Sequence, residues 1–306
     1  MHIQWYPGHM HKASQAIKEI LPLVDLIIEI LDARIPFSSE NPMLGSLLGN
    51  KPCIKILSKS DLADPDITQR WQTYLEREQG VKTLALTIEQ PEKIRQLPDL
   101  CHKILAIPAG STKLIHTLIM GIPNVGKSTL INVLAGRTVA KTGNEPAVTK
   151  VQQRINIGRN IVLLDTPGVL WPNVDNRNSG YRLAITGAIK DTAIEHHDIA
   201  LSAADYLLQQ YPELLTDRYQ LDSLPDSDQE LLEVIGQKRG CLRPGGHVDL
   251  DKVSKILLTE LRSGKLGRIS LETPAMMERE LKQLALIRER KAAKKQARKL
   301  KRKASG

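Results

Sequence analysis

The sequence predicts an α/β fold: a doubly wound parallel sheet, then a small all-α domain and a basic tail. Three observations predict it. Five short, nearly continuous apolar runs each end in a polar loop and alternate with helical stretches, as strands buried on both faces do. Beyond about residue 178 such runs cease and apolar residues recur at helical spacing. From Arg288 to Lys303, ten Lys/Arg stand against one acid, Glu289. That stretch carries the whole net charge of +9 and leaves the rest of the chain balanced.

In chain order, a helix over 12–21 precedes the first run, Val24–Leu31, which leads into Asp32-Ala33-Arg34-Ile35-Pro36. Pro52–Leu57 leads into Ser58-Lys59-Ser60-Asp61, and Thr83–Leu86 into Thr87. Ile115–Met120 leads into Gly121-Ile122-Pro123-Asn124-Val125-Gly126-Lys127-Ser128, and Asn160–Leu164 into Asp165-Thr166-Pro167-Gly168. Helices are expected over 66–79, 92–106 and 127–136. Open α/β sheets bind ligands at the carboxyl ends of their strands, so these loops are where the chemistry belongs. The expected domains are 1–177, a helical unit over 178–287, and the tail 288–306. Within the helical unit, segments 179–190, 195–211, 228–236, 250–262 and 274–287 carry helical periodicity, punctuated by Pro212, Pro225, Gly240 and Pro244-Gly245-Gly246.

Composition narrows the class. A hydrophobic fraction of 41% and a charged fraction of 25% exclude disorder as the main state. No stretch reaches the roughly 18–20 uncharged apolar residues of a membrane span. With one Phe, the core must rest on Leu, Ile, Val and Ala. Three separated cysteines without a CxxC pair predict neither a disulfide framework nor a zinc site. The first residues hold no apolar signal core, so a cytoplasmic location is expected. The tail suits nucleic acid or an anionic surface; its lack of large apolar residues beyond Leu300 favours nucleic acid, with a solubilising helical end as the alternative.

The fourth loop matches the phosphate-binding pattern GxxxxGK[ST]. Glycine permits a tight turn whose backbone N–H groups converge on phosphate oxygens at the positive end of the next helix. Asn124, Val125, Gly126, Lys127, Ser128 and Thr129 are therefore candidate nucleotide contacts. Lys127 can reach the β- and γ-phosphates, and the Ser128 hydroxyl can ligate Mg²⁺. In the fifth loop, Asp165 can hold the Mg²⁺ shell through water, and the Gly168 N–H can sense the γ-phosphate. Between them, Thr149 is the expected Mg²⁺-ligating switch threonine, with Thr142 and Thr138 nearby. The second loop presents a carboxylate, Asp61, that can accept from both N1–H and the exocyclic amine of guanine, a pattern adenine does not offer. Lys59 can stack its stem over the base, and Ser58 and Ser60 complete the loop. In most GTPases this base-reading element follows the phosphate loop; here it precedes it. A circular permutation keeps one site in space while moving the chain ends.

The permuted order, with Pro7-Gly8-His9-Met10, Asp32–Pro36, Gly121–Thr129 and Asp165–Pro172, resembles the YlqF-type circularly permuted GTPases. The likeness spans roughly residues 2–274 and leaves out only the tail. It implies a P-loop GTPase domain followed by a helical domain, binding to a late precursor of the large ribosomal subunit and its rRNA, and GTP hydrolysis to GDP there; a monomer is expected. An RNA-binding scaffold that holds GTP without useful turnover, and a tRNA- or translation-associated GTPase, are the alternatives. Ser58 stands where the usual pattern has Asn, which ties the base loop to the phosphate loop, and one hydroxyl makes only one of those two bonds. Thr87 and Ile88 stand where the family has its last base-contacting element.

Many small GTPases orient the attacking water with a Gln after the switch glycine. Here that position is Val169, so hydrolysis should be slow alone and stimulated by the ribosome. The resemblance assigns the water-orienting role to His9, and gives Asn124 a part in binding K⁺, whose charge stands in for an arginine finger. The sequence offers no physical account of Asp32-Ala33-Arg34.

Overall fold

Strand β1 (Leu26–Asp32) is buried along its whole length. Parallel neighbours on both sides and helices over both faces require that. In this computed structural model the residues described are 15–42, 49, 51–108, 110–140, 153–168, 170 and 176–304. Strands β2 (Cys53–Ser58), β3 (Val81–Ala85), β4 (Ile115–Gly121), β5 (Gln153–Asn156) and β6 (Ile161–Asp165) complete a six-stranded sheet of order β3-β2-β1-β4-β6-β5. β1 pairs in parallel with β2 and β4, setting Asp32 opposite Ser58 and Ile30 opposite Gly121. β2 with β3 and β4 with β6 are also parallel. The edge strand β5 departs from the all-parallel expectation and runs antiparallel to β6. Only Ile155 of its four residues is buried, so it left no apolar run to read.

Helices α1 (Pro36–Ser39) and α2 (Pro65–Leu75) follow β1 and β2. The Asp64 carboxylate caps α2 by accepting from the N–H groups of Asp66 and Ile67. The helix expected over 92–106 divides into α3 (Pro91–Ile94) and α4 (Leu97–Ile104). Pro98 lacks the N–H that a continuous helix would need there, and is instead accommodated in the first turn of α4. Helix α5 (Lys127–Ala135) follows the phosphate-loop motif. The helical region holds α6 (Arg177–Ile185), α7 (His196–Gln210), α8 (Pro212–Tyr219), α9 (Asp228–Lys238), α10 (Leu250–Arg262) and α11 (Pro274–Ala304). α8 is new, because Pro212 reads as a break although proline suits the first position of a helix. Small and branched residues (Ala200, Ala203, Ala204, Leu232, Leu257) bury the contact between α7, α9 and α10. α11 runs without interruption into the basic tail. The three cysteines are buried and free. Among the described residues no helix is long and apolar enough to cross a membrane.

After α10 the chain returns to the sheet. Ile269 N–H donates to the Leu62 carbonyl at 2.9 Å and Leu271 N–H to the Arg34 carbonyl at 2.8 Å. Buried Glu272 accepts from the Ser38 N–H and from Arg182, and Trp71 Nε1 donates to its carbonyl. Covering these polar groups is tolerable only because each is paired.

Glu29 is buried on β1 opposite Lys55. The Lys55 ammonium lies 2.6 Å from Glu40 and 4.0 Å from Glu29. Burial, then the nearby Glu40, pushes the Glu29 carboxyl up to about 8, above its ordinary 4.5. The folded chain therefore binds an extra proton between those values, so stability falls as pH rises through that window. Melting temperature is expected to drop by several degrees from pH 6 to pH 8.5. Glu29→Gln, which mimics the protonated acid, should flatten the slope in thermal scans; an unchanged slope would remove Glu29 as its source.

Candidate functional site

The carboxyl ends of β1, β2 and β4 and the loops beyond β3 and β6 open onto one cavity of about 940 Å³. Ser58, Lys59 and Asp61 line it from β2, and Thr87 with the exposed Ile88 from the loop after β3. Asn124, Val125, Gly126, Lys127, Ser128 and Thr129 form the facing wall, with Gly168 beside them. The sheet order explains the meeting. β2 and β4 flank β1 in parallel, so their carboxyl ends face the same way although the Ser58–Asp61 loop precedes the phosphate loop in sequence.

The phosphate loop has the backbone its sequence demands. Gly126 lies at φ 95° and caps α5, whose N-terminus carries the helix's partial positive charge. Asn124 adopts φ 59°, which Asn tolerates, and donates from Nδ2 to the Gly187 carbonyl at 2.8 Å. Gly168 approaches the loop so closely that a Cβ there would lie 3.0 Å from the Pro123 nitrogen. Lys127 Nζ pairs with Asp165, whose residue is 0% exposed. Burial pushes Lys127 down and Asp165 up, and each resists through the other's charge. Asp165 does not line the cavity; it stands behind Lys127 with Oδ2 buried and without a hydrogen-bond partner among the described residues. An orphaned carboxylate oxygen behind the phosphate-loop Lys fits a hard cation such as Mg²⁺, which prefers one or two protein oxygens together with substrate phosphates. Among the described residues no cluster of three or more His, Cys, Asp or Glu offers an alternative metal site.

The loop from Ser58 to Asp61 is tied down twice. The Ser58 hydroxyl lies 2.6 Å from the Val125 carbonyl and 2.9 Å from that of Leu31. The single tie expected of Ser58 is therefore available, and Lys59 supplies a second by donating from Nζ to the Asn124 carbonyl at 2.6 Å. Burial lowers the Lys59 ammonium, opposed by Asp32. Ser60 lies outside the cavity wall; its N–H bonds the Leu86 carbonyl and fastens this loop to the one after β3. His9, Thr149 and Val169 lie outside the described residues.

Sequence reasoning missed two sets of lining residues. Arg34 belongs to a motif without an evident role. Thr186, Gly187, Ile189 to Thr192, Thr259, Arg262 and Ser263 come from the helical region, where no pattern marked them. Arg262 binds the carbonyls of Ala184 and Ile185 and the Asp191 carboxylate, so it stiffens that wall.

Comparison with known proteins agrees with this geometry. Residues 116–240 match a family described as 50S ribosome-binding GTPase. Ribosome biogenesis GTPase A of Priestia megaterium is 44% identical over 289 residues, 92% of this chain and 100% of that one. GNP-bound YlqF from T. maritima has a TM-score of 0.61 at 29% identity, covering 86% of this chain and 98% of that one. A GDP-bound structure titled TM YlqF has a TM-score of 0.62 at 29% identity, covering 85% and 99%. Identity of that extent over nearly the full length, on a sheet with the permuted loop order, means that the chain belongs to the ribosome biogenesis GTPase A family, the YlqF-type circularly permuted GTPases.

Proposed function

We propose that this protein hydrolyses GTP in the cavity between Asp61 and Lys127 and acts as a switch on precursors of the large ribosomal subunit. One observation carries the reading. Asp61, encoded upstream, and Lys127, encoded downstream, line the same cavity. Asp61 would read the guanine edge, with Lys59 along its face and Thr87 and Ile88 at its far side. Asn124 to Thr129 would hold the phosphates. Mg²⁺ would be held by Ser128 and Thr149 directly and by Asp165 through water, supplying charge neutralisation at the phosphates. His9 would orient the attacking water, a task Val169 cannot perform.

K⁺ at the Asn124 amide oxygen would supply charge where other GTPases use an arginine finger, a device worth about 10³–10⁵ in rate. Gly168 and Thr149 would respond to the γ-phosphate, favouring precursor binding with GTP and release with GDP. The basic run from Arg288 to Lys303, on the continuation of α11, would contact rRNA, so binding should weaken steeply with salt. The domain division at 178 and 288, a monomeric state and a cytoplasmic location belong to the same reading.

The test is co-sedimentation with large-subunit precursors under GTP, GDP and a non-hydrolysable analogue, paired with turnover in K⁺ and Na⁺ at equal ionic strength. Binding under the triphosphates, and turnover stimulated by subunits in K⁺ but not in Na⁺ or with His9→Ala, are expected. Nucleotide-independent sedimentation with no stimulated turnover would favour the scaffold reading instead.

A further inference from the structure

We propose that Asp32 and Arg34 are positioning residues of the nucleotide site, an ion pair that fixes Lys59 against the phosphate loop and sets Asp61 for the purine edge. This rests on reading the cavity as a guanine-nucleotide site.

Asp32 ends the central strand, opposite Ser58, and the Ala33 N–H bonds the Ser58 carbonyl at 2.9 Å. The motif is thus sewn to the first residue of the base-reading loop. The Asp32 carboxylate gathers four donors: the Arg34 N–H at 3.1 Å, Arg34 Nε at 2.9 Å, Arg34 Nη2 at 2.7 Å and Lys59 Nζ at 3.1 Å. Lys59 therefore bridges Asp32 and the Asn124 carbonyl while its own backbone sits at φ 54°, a region an ordinary side chain occupies only when held there. Remove Asp32, and a half-buried ammonium keeps its Asn124 anchor and loses the nearer of its two counter-charges, leaving Asp61.

Arg34 acts from the other side. It is 1% exposed yet lines the cavity, and its Nη1 is buried without a hydrogen-bond partner among the described residues. Burial works against its charge, while Asp32 and then Asp61 sustain it, so the Asp61 carboxylate lies within its field. Its carbonyl is clamped by the Leu271 N–H. A buried ion pair adds little stability over well-packed apolar side chains. The rest of β1 consists of such residues, Glu29 apart, so placing one pair where β1 meets the cavity points to the loop it holds rather than to the core.

The test uses the full chain with Arg34→Lys, which keeps the charge but loses the two-pronged fork. The double variant Asp32→Asn/Arg34→Gln, which removes both charges together, serves as the second. Affinities for GDP and IDP are measured by displacement of a fluorescent GDP analogue, with melting temperature alongside. Inosine lacks the exocyclic amine, so it uses only one of the two Asp61 bonds. GDP affinity is expected to fall about tenfold or more and IDP affinity only about threefold, narrowing the discrimination that paired hydrogen bonds provide. A pair that served stability alone would lower the melting temperature and leave the GDP:IDP ratio untouched, and that result would overturn the proposal. So would failure of both variants to fold, which would assign the pair to the scaffold. If instead the unmutated protein shows no preference for GDP over ADP, the guanine reading itself is what fails.

Discussion

Asp61→Asn is expected to exchange guanine for xanthine. The carboxylate offers two acceptors to the N1–H and 2-amino donors of guanine. Asparagine keeps one acceptor and turns a donor toward the 2-position, where guanine also donates and xanthine has a carbonyl. Sites built around such hydrogen bonds reject a mismatched ligand by about 10⁴–10⁵. Because the Asp61 loop borders open cavity, a drop of about 10³ in GDP affinity is the expected result, equal to ~4 kcal/mol. XDP affinity should rise to meet or pass it. Displacement titrations with GDP, XDP and ADP read both arms. A variant that holds GDP within tenfold of the parent would remove Asp61 from base recognition and with it the permuted-site reading.

Lys127→Ala should abolish turnover and also alter how stability depends on pH. The ammonium neutralises Asp165, a fully buried carboxylate with one oxygen already orphaned. Breaking such a pair from one side costs about 3–5 kcal/mol, because the remaining charge has no partner. Asp165 is already pushed up by burial and would rise further without Lys127. The folded variant then binds a proton that the unfolded chain has released, so its stability falls as pH rises above the ordinary Asp range. Thermal scans should show a larger loss at pH 8 than at pH 5.5. Lys127→Ala/Asp165→Asn should recover the melting temperature and remain inactive. Recovery of turnover would show that Lys127 acts on Asp165 and not on phosphate.

Much of this was legible in the sequence because parallel strands buried on both faces read as apolar runs. The five runs before the key loops became β1, β2, β3, β4 and β6. The loops that follow carry the site, and the meeting of Ser58 to Asp61 with Asn124 to Thr129 follows from strand order. Illegible features have local reasons. β5 buries one side chain and has no periodicity. Pro212 looks like a break but begins a helix, whereas the single helix expected over 92–106 divides just before Pro98. Asp32 and Arg34 resemble a solvated turn, since nothing in one sequence says that an Asp-x-Arg pair is buried. The walls from Thr186 to Thr192 and Thr259 to Ser263 depend on how the helical region docks, which is a property of tertiary contacts.

The backbone bond from Leu271 to Arg34 has a consequence for biosynthesis. The clamp on Arg34 joins β1 to a segment that follows α10, more than two hundred residues further along the chain. A nascent chain can pair its first four parallel strands while still attached to the translating ribosome. It cannot seat Arg34 in its final setting until residue 271 has emerged from the exit tunnel. If Arg34 sets Asp61 as proposed, a polypeptide that lacks residue 271 should favour GDP over IDP less than the full chain does.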